Sequence, residues 1–220
     1  MAKPLQKRAL ATREKILDGL ETLLERKEFE MISIAELARE AGVAVGSVYS
    51  HYKDKEALLP ALLDRQIARV EARVAELRET GEIQGVSIHS KKGMDLREMI
   101  GLSIRSALAQ VNQSLGVRRA LLTYRRLNPG LDLPVAERLA SEAFEALVTQ
   151  FELYRDEIAH EDLRAAAKMV NYFVNIAFLD RVVFVKSPLQ DSLRPDDEAL
   201  ISAYTDMIVS YLQNPPSQSA

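Results

Sequence analysis

The sequence predicts an all-α protein: a small N-terminal unit of three short helices, then a larger bundle of long ones, about nine helices in total. Three observations predict this. Apolar residues recur at helical spacing along most of the chain, strand-like alternation is nearly absent, and the eight prolines and nine glycines fall mostly between the periodic stretches. With 47% hydrophobic residues in 220, there is enough apolar material for a substantial core. The expected division is residues 1–54, residues 55–213, and a disordered tail, "NPPSQSA", over 214–220.

Helix 1 is expected from about Leu5 to Lys27, where Ile16, Leu20, Leu23 and Leu24 form one stripe. Ser33-Ile34-Ala35-Glu36 reads as a capping box opening helix 2, and Gly42 supplies the left-handed stop after it. Helix 3 covers about Val45 to His51. Asp54 caps helix 4, about Lys55 to Arg78, with Pro60 expected to bend it past its first turn. Residues 79–94 read as a Gly-rich loop. Helix 5 opens at Asp95, with Glu98 three residues on, and carries Met99, Ile100, Ile104, Leu108 and Val111. Helix 6 is expected at about Val117 to Leu127. Helix 7 runs from Pro134, in its first turn, to about Ala159. Helix 8, about Asp162 to Phe184, is apolar nearly all round. Helix 9, about Asp196 to Leu212, has an acidic first turn that complements its dipole.

Composition excludes several chemistries. There are no cysteines, hence no disulfides, thiolate metal sites or cysteine nucleophiles, which suits a reducing cytoplasm. The N-terminus is basic but lacks an apolar run, so no secretory signal is expected, and no stretch reaches the length of a membrane span. His89 and His160 lie in separate segments, so no metal site is expected. Nucleophile-elbow, phosphate-loop and dinucleotide patterns are missing, so the reading is a non-enzyme without a cofactor. Net charge is −3, which gives no global attraction to nucleic acid. Locally, Lys3, Lys7, Arg8 and Arg13 are the only charged residues of the first 13, and Lys53 and Lys55 lie near helix 3. A local patch is enough for phosphate contact.

The informative stretch is "SIAELAREAGVAVGSVYSHYKDKEAL", Ser33 to Leu58. Ile34, Leu37, Ala38, Val43 and Val48 can share a core with the helix 1 stripe. Helix 3 then crosses helix 2 after a tight Gly turn, the helix-turn-helix arrangement whose second helix enters the DNA major groove. With Val48 inward, Val45, Ser47, Tyr49 and His51 project outward, and Gly46 leaves room for a phosphate. Ser33, Tyr49, Ser50 and Lys55 are candidate phosphate donors. Ala44 and Val45 offer methyl contacts, Val45 to thymine, and Ser47 and His51 are the polar candidates for base edges. Tyr52 reads better as a core aromatic, and Ser33 is a cap in either case. The arm from Lys3 to Arg13 is read either as flexible or as lying on the DNA backbone or in a minor groove.

These residues resemble the DNA-binding domain of the TetR family of bacterial transcriptional regulators. The resemblance is carried by Ala41-Gly42-Val43, Gly46-Ser47-Val48-Tyr49, His51-Tyr52 and Lys55-Glu56-Ala57-Leu58, and covers roughly residues 8 to 65. Family members often carry Ser or Thr at position 44 and a polar residue at 45. Ala44 and Val45 depart from that pattern.

Helix 9 shows two apolar stripes: Leu200, Tyr204, Met207 and Tyr211, and beside them Ile201, Ile208 and Leu212. One stripe serves the chain's own core, and the second predicts a twofold homodimer through helices 8 and 9. The resemblance implies the same dimer. It also implies a cavity enclosed by helices 4 to 8, with Ile100, Ile104, Leu108, Leu121, Leu147, Phe151 and Phe173 as lining and Arg105, Tyr124, Asn171 and Asn175 as orienting groups. Asn171 and Asn175 are equally readable as a hydrogen-bonded pair at the dimer seam. The expected function is a dimeric regulator, a repressor, bound to a palindromic double-stranded DNA operator and released by a hydrophobic or amphipathic small molecule. The alternative is a DNA-binding protein of the same fold that acts without an inducer.

Overall fold

A computed structural model describes residues 4–83, 86–183 and 195–214. The described helices are α1 (Pro4–Leu24), α2 (Ile34–Glu40), α3 (Val45–His51), α4 (Leu58–Thr80), α5 (Leu96–Asn112), α6 (Leu115–Leu127), α7 (Pro134–Leu153), α8 (Leu163–Val183) and α9 (Asp197–Gln213). A 3-10 turn, Phe29–Met31, joins α1 to α2. The stretch expected as a plain loop after α4 holds a two-residue antiparallel ladder, β1 (Glu82–Ile83) with β2 (Val86–Ser87). Lys3, Phe184 and the tail from residue 215, all named in the sequence reading, lie outside the described residues.

Packing divides the chain into two compact units. The first takes residues up to 68 together with 113–132, and the second takes 69–112 together with the chain from 133. The sequence places its division at residue 54, in a polar stretch. The packing places it inside α4, and it returns α6 to the N-terminal unit.

In the first unit α1 packs on α2 and α3, and α2 on α3. Ile16, Leu20, Leu23, Leu24, Phe29, Ile32, Leu37, Ala38, Val48 and Tyr52 are buried. Ile34 and Val43, expected in this core, are half-buried at its edge. Gly42 takes φ +63° and ends α2. A Cβ on Gly19 would stand 3.0 Å from the Ala41 backbone nitrogen, so α1 and the end of α2 meet at backbone distance. Arg65 of α4 pairs with Asp18 and lies 3.6 Å from both Glu14 and Glu21, all on one face of α1.

α6 docks on α1 through Gly116. A Cβ there would lie 1.9 Å from the Leu24 carbonyl oxygen, so only glycine allows the approach. Arg119 adds an ion pair to Glu28 at 3.1 Å.

The start of α4 corrects one expectation. The helix opens at Leu58 rather than Lys55, after a turn in which the Ala57 N–H donates to the Asp54 carboxylate at 2.9 Å. Pro60 is therefore in the first turn, where backbone N–H groups lack helical acceptors anyway. It removes no hydrogen bond and gives no reason for a bend.

In the second unit α9 packs chiefly on α5 and α7 packs on α8. Met99, Ile100, Ile104, Leu108 and Val111 of α5 are buried, as are Ile201, Thr205, Ile208, Val209 and Leu212 of α9. Gly101 brings α5 close to Thr205. Asp95 and Glu98 form the capping box that opens α5 (2.8 and 3.0 Å). α7 stops at Leu153, six residues before its expected end. The following turn is held by tertiary contacts: Tyr154 and Ile158 are buried, Lys91 pairs with Asp156 and Glu157 (2.7 and 2.9 Å), and the Ala159 N–H donates to the Leu212 carbonyl.

Gly116→Ala is expected to force α6 away from α1 and to destabilise by about 2 kcal/mol or more. The melting temperature should fall by about 2–4 °C per kcal/mol. Gly46 meets nothing within 4 Å, so Gly46→Ala should leave the melting temperature unchanged or raise it.

Candidate nucleic-acid interface

The capping box at Ser33 is present. The Glu36 N–H donates to the Ser33 hydroxyl at 3.2 Å, and the Ser33 N–H donates to the Glu36 carboxylate at 3.4 Å. Lys27 donates to Glu36 at 2.5 Å, and this bond, then the backbone bond from Ser33, hold the Glu36 carboxyl below its usual range. The cap ties the start of α2 to the end of α1 and fixes where α3 begins.

α3 places its side chains as the sequence predicts. Val48 is fully buried and Tyr52, just past the helix, is 4% exposed. Tyr49 is 54% and Val45 43% exposed, unusual values for large apolar groups on a short helix. Ala44, Gly46 and Ser50 are also exposed, and Ser47 and His51 are half-buried. The outer face of α3 is thus a ridge of Val45 and Tyr49 flanked by small residues. The Ser50 hydroxyl donates to the Ser47 carbonyl at 2.8 Å and keeps its lone pairs outward. Ala44 is the N-cap of α3 and has no side chain to accept from the first turn, which is the structural consequence of its departure from Ser or Thr.

Lys55 has a role the sequence does not announce. Its ammonium donates to the Glu30 carbonyl at 2.9 Å and sits 4.7 Å from the centre of the Phe29 ring. One of its three protons is thereby spent closing the 3-10 turn, and two stay available. The partner is 25 residues away, so no local pattern points to it. On the N-terminal arm, Arg13 lies 5.7 Å from the centre of the Tyr52 ring.

The candidate ligand residues are divided between the two units. Leu121, buried, and Tyr124, half-buried, lie on α6 in the first unit. Ile100, Ile104, Leu108 and Phe151 are fully packed in the second, with Leu147 half-buried. Arg105 is on the surface and grips Glu198 with both guanidinium nitrogens, one at 2.7 Å. Phe173 is exposed on α8. Asn175 donates to the Asn171 carbonyl and to its side-chain oxygen (2.7 and 3.1 Å), the pairing the sequence offers as the alternative.

Of these residues Phe173 alone borders a described groove, about 170 Å³ between α8 and α9, with Val170, Tyr204, Met207, Ile208 and Tyr211. Met169, Tyr172, Ile176, Leu179 and Val183 extend this apolar face along α8. The two stripes of α9 separate as predicted: Ile201, Ile208 and Leu212 are buried, while Leu200, Tyr204, Met207 and Tyr211 remain partly or fully accessible. Among the described residues no helix is long and apolar enough to cross a membrane, and no cluster of three or more His, Asp or Glu residues could hold a metal ion.

Residues 16–62, which contain the capping box, Gly42 and all of α3, match the family model described as bacterial regulatory proteins, tetR family. Over that stretch the chain is similar to the DNA-binding part of TetR-family proteins. Two curated relatives match part of the chain. The A-factor receptor protein of Streptomyces griseus is 37% identical over 66 residues, 30% of this chain and 24% of that protein. The HTH-type transcriptional repressor NemR of Escherichia coli K12 is 37% identical over 71 residues, 32% of this chain and 36% of the repressor. The chain thus spans about a quarter to a third of these relatives' lengths.

Over the whole chain the TetR fold is shared with a bacterial regulatory protein of the tetR family from Rhodococcus RHA1. That match has 14% identity and a TM-score of 0.58, and covers 91% of this chain and 96% of that one. A TetR-family regulator from Agrobacterium tumefaciens matches with 19% identity and a TM-score of 0.55, covering 93% and 98%.

Ser33→Ala is expected to cost about 1 kcal/mol by removing the α2 cap, and Ala44→Ser to return a similar amount at α3. Thermal melts of the two variants should move in opposite directions, by about 2–4 °C each.

Proposed function

We propose that this chain is a TetR-family regulator, a homodimeric cytoplasmic repressor. It grips a palindromic operator through Val45–His51 and is released by a hydrophobic or amphipathic small molecule. The observation that carries the reading is the outward ridge of α3. A short helix with one inward residue, Val48, and an exposed Tyr49 beside Val45 and Gly46 serves no packing purpose and suits a major groove. Lys55 then binds phosphate, and Ser33 and Ser50 do so by turning their hydroxyl protons away from Glu36 and the Ser47 carbonyl, while Ala44, Val45, Ser47 and His51 meet base edges.

The dimer is supported by the uncovered apolar face of α8 and α9, which is larger than a monomer needs. A twofold axis there presents two copies of α3 to half-sites about 34–36 Å apart or a multiple of that distance. Ligand acts by binding two arrangements of the chain unequally, one of which matches the half-site spacing. A second reading, DNA binding without an inducer, is favoured by one observation. Most of the proposed apolar lining on α5 and α7 is already packed, and Arg105 is engaged with Glu198.

Footprinting on DNA flanking the protein's own gene tests the regulator. A protected palindrome is expected, lost in Tyr49→Ala with the melting temperature unchanged. Lys55→Ala should weaken binding about equally across sequences and lower the salt slope by about 1. No protected site at any protein concentration would refute the reading.

For the dimer, Ile176→Asp places a charge on the exposed α8 face. Sedimentation should show a dimer for the wild-type chain and a monomer for this variant. A wild-type monomer at micromolar concentration would refute the dimer.

A further inference from the structure

The charges of α1 are sorted along its length. Glu14, Asp18 and Glu21 lie on one face against Arg65 of α4. Before Glu14 the helix carries only bases, Lys7, Arg8 and Arg13, and its first turn holds no acid. Among the described residues neither Lys7 nor Arg8 makes a side-chain hydrogen bond or ion pair. All of residues 7–11, more than one full turn, are exposed, so this part of α1 overhangs the core that begins at Ile16. Such an overhang is weak on two counts. A few unpacked turns are marginal helix in water, and Lys7 at the end of the first turn opposes the helix dipole.

Arg13 marks where the overhang leaves the unit. Its guanidinium stands 5.7 Å from the centre of the Tyr52 ring, and Tyr52 is the residue that ends α3. Lys53 follows at once, exposed and without a partner among the described residues. At about 1.5 Å per residue, α1 carries Arg8 about 7–8 Å and Lys7 about 9 Å beyond Arg13. Cations thus run from the end of α3 outward along α1, all within the first unit. A helix with its side chains is about 10–12 Å across and the DNA minor groove only about 6 Å wide, so a helical overhang does not enter that groove. The phosphate backbone is the surface left to it.

We propose that the α1 overhang, through Lys7 and Arg8, binds the DNA phosphate backbone outside the groove that α3 enters, with Arg13 and Lys53 continuing the contact to the end of α3. Lysine and arginine neutralise phosphates without reading sequence, so the overhang adds affinity and contact length but no base preference. Phosphate also supplies the negative charge that the first turn lacks. The inference rests on the DNA-binding reading of α3 and extends it to the DNA flanking each half-site.

The test is binding of the full-length protein, across a salt series, to three duplexes. These are the protected palindrome with its native flanks, the same palindrome trimmed at the edges of the α3 half-sites, and a random-sequence duplex as long as the first. The double variant Lys7→Ala, Arg8→Ala should lower the magnitude of the salt slope by about 2 on both long duplexes, with the ratio of operator to random affinity unchanged. Its deficit against wild type should narrow about tenfold between about 50 and 200 mM salt. On the trimmed duplex the two proteins should bind within about twofold of each other, because the flanking phosphates are gone. Replacing A·T by G·C pairs in the flanks should leave the deficit as it is, since the minor groove is not read. The melting temperature should stay level or rise, because neither side chain has a described partner and alanine favours helix.

The proposal is overturned by an unchanged salt slope on the long duplexes, by a deficit that persists undiminished on the trimmed one, or by a deficit that follows the flanking base pairs. Operator binding that is lost in Tyr49→Ala but level in the double variant removes this inference alone. A slope lowered on random-sequence DNA, with no protected palindrome found, removes the operator reading alone. A wild-type protein that binds none of the duplexes removes both.

Discussion

Burial of Val48 in the small core shared by α1, α2 and α3 sets the rotation of α3 about its own axis, and the outward set of side chains follows from it. With Val48 at zero exposure, Tyr49 is turned about 100° and Val45 about 60° away from it around the helix, which leaves both partly exposed. Two short-range devices keep the helix where that rotation matters: the Ser33–Glu36 capping box at the start of α2 and the left-handed Gly42 at its end. The Lys55 bond to Glu30 closes the same unit from the other side of α3. A ridge built this way needs little affinity from any one residue, because its position is held by backbone and core rather than by long flexible side chains.

The second constraint is backbone proximity between α6 and α1. Gly116 allows contact at a distance no side chain permits, and Arg119–Glu28 adds a charge pair beside it. The chain leaves the first unit within α4, returns to it for α6 and leaves again after residue 132. The N-terminal unit is therefore joined covalently to the second at three points, not one.

Charge in the second unit is arranged by helix pair. Ion pairs at Arg97–Asp206, Arg105–Glu198 and Arg181–Asp197 run from α5 and α8 to α9, and those at Glu71, Arg78, Arg138 and Glu142 join α4 to α7. Individually such exposed pairs contribute little, but they select register between helices whose apolar faces would pack in several ways. Against that background an apolar outer face on α8 and α9 stands out, since it completes no contact described within the chain.

What the sequence determined by itself is local. Helical period, the Ser33 and Asp95 caps, the Gly42 stop and the inward Val48 are all short-range consequences of residue type and spacing, and each element they predict is present. The two stripes of α9 were legible for the same reason. What only the tertiary structure decided depends on partners distant in the chain. These are the placement of α6 beside α1 through Gly116, the bond from Lys55 to Glu30, the surface pairing of Arg105 with Glu198, and the early end of α7, where Tyr154 is buried and Lys91 clamps Asp156 and Glu157. Pro60 shows how narrow the margin is. A shift of three residues in where α4 begins turns a helix breaker into an ordinary first-turn proline, and that start was set by Asp54 capping Ala57 rather than by the apolar pattern.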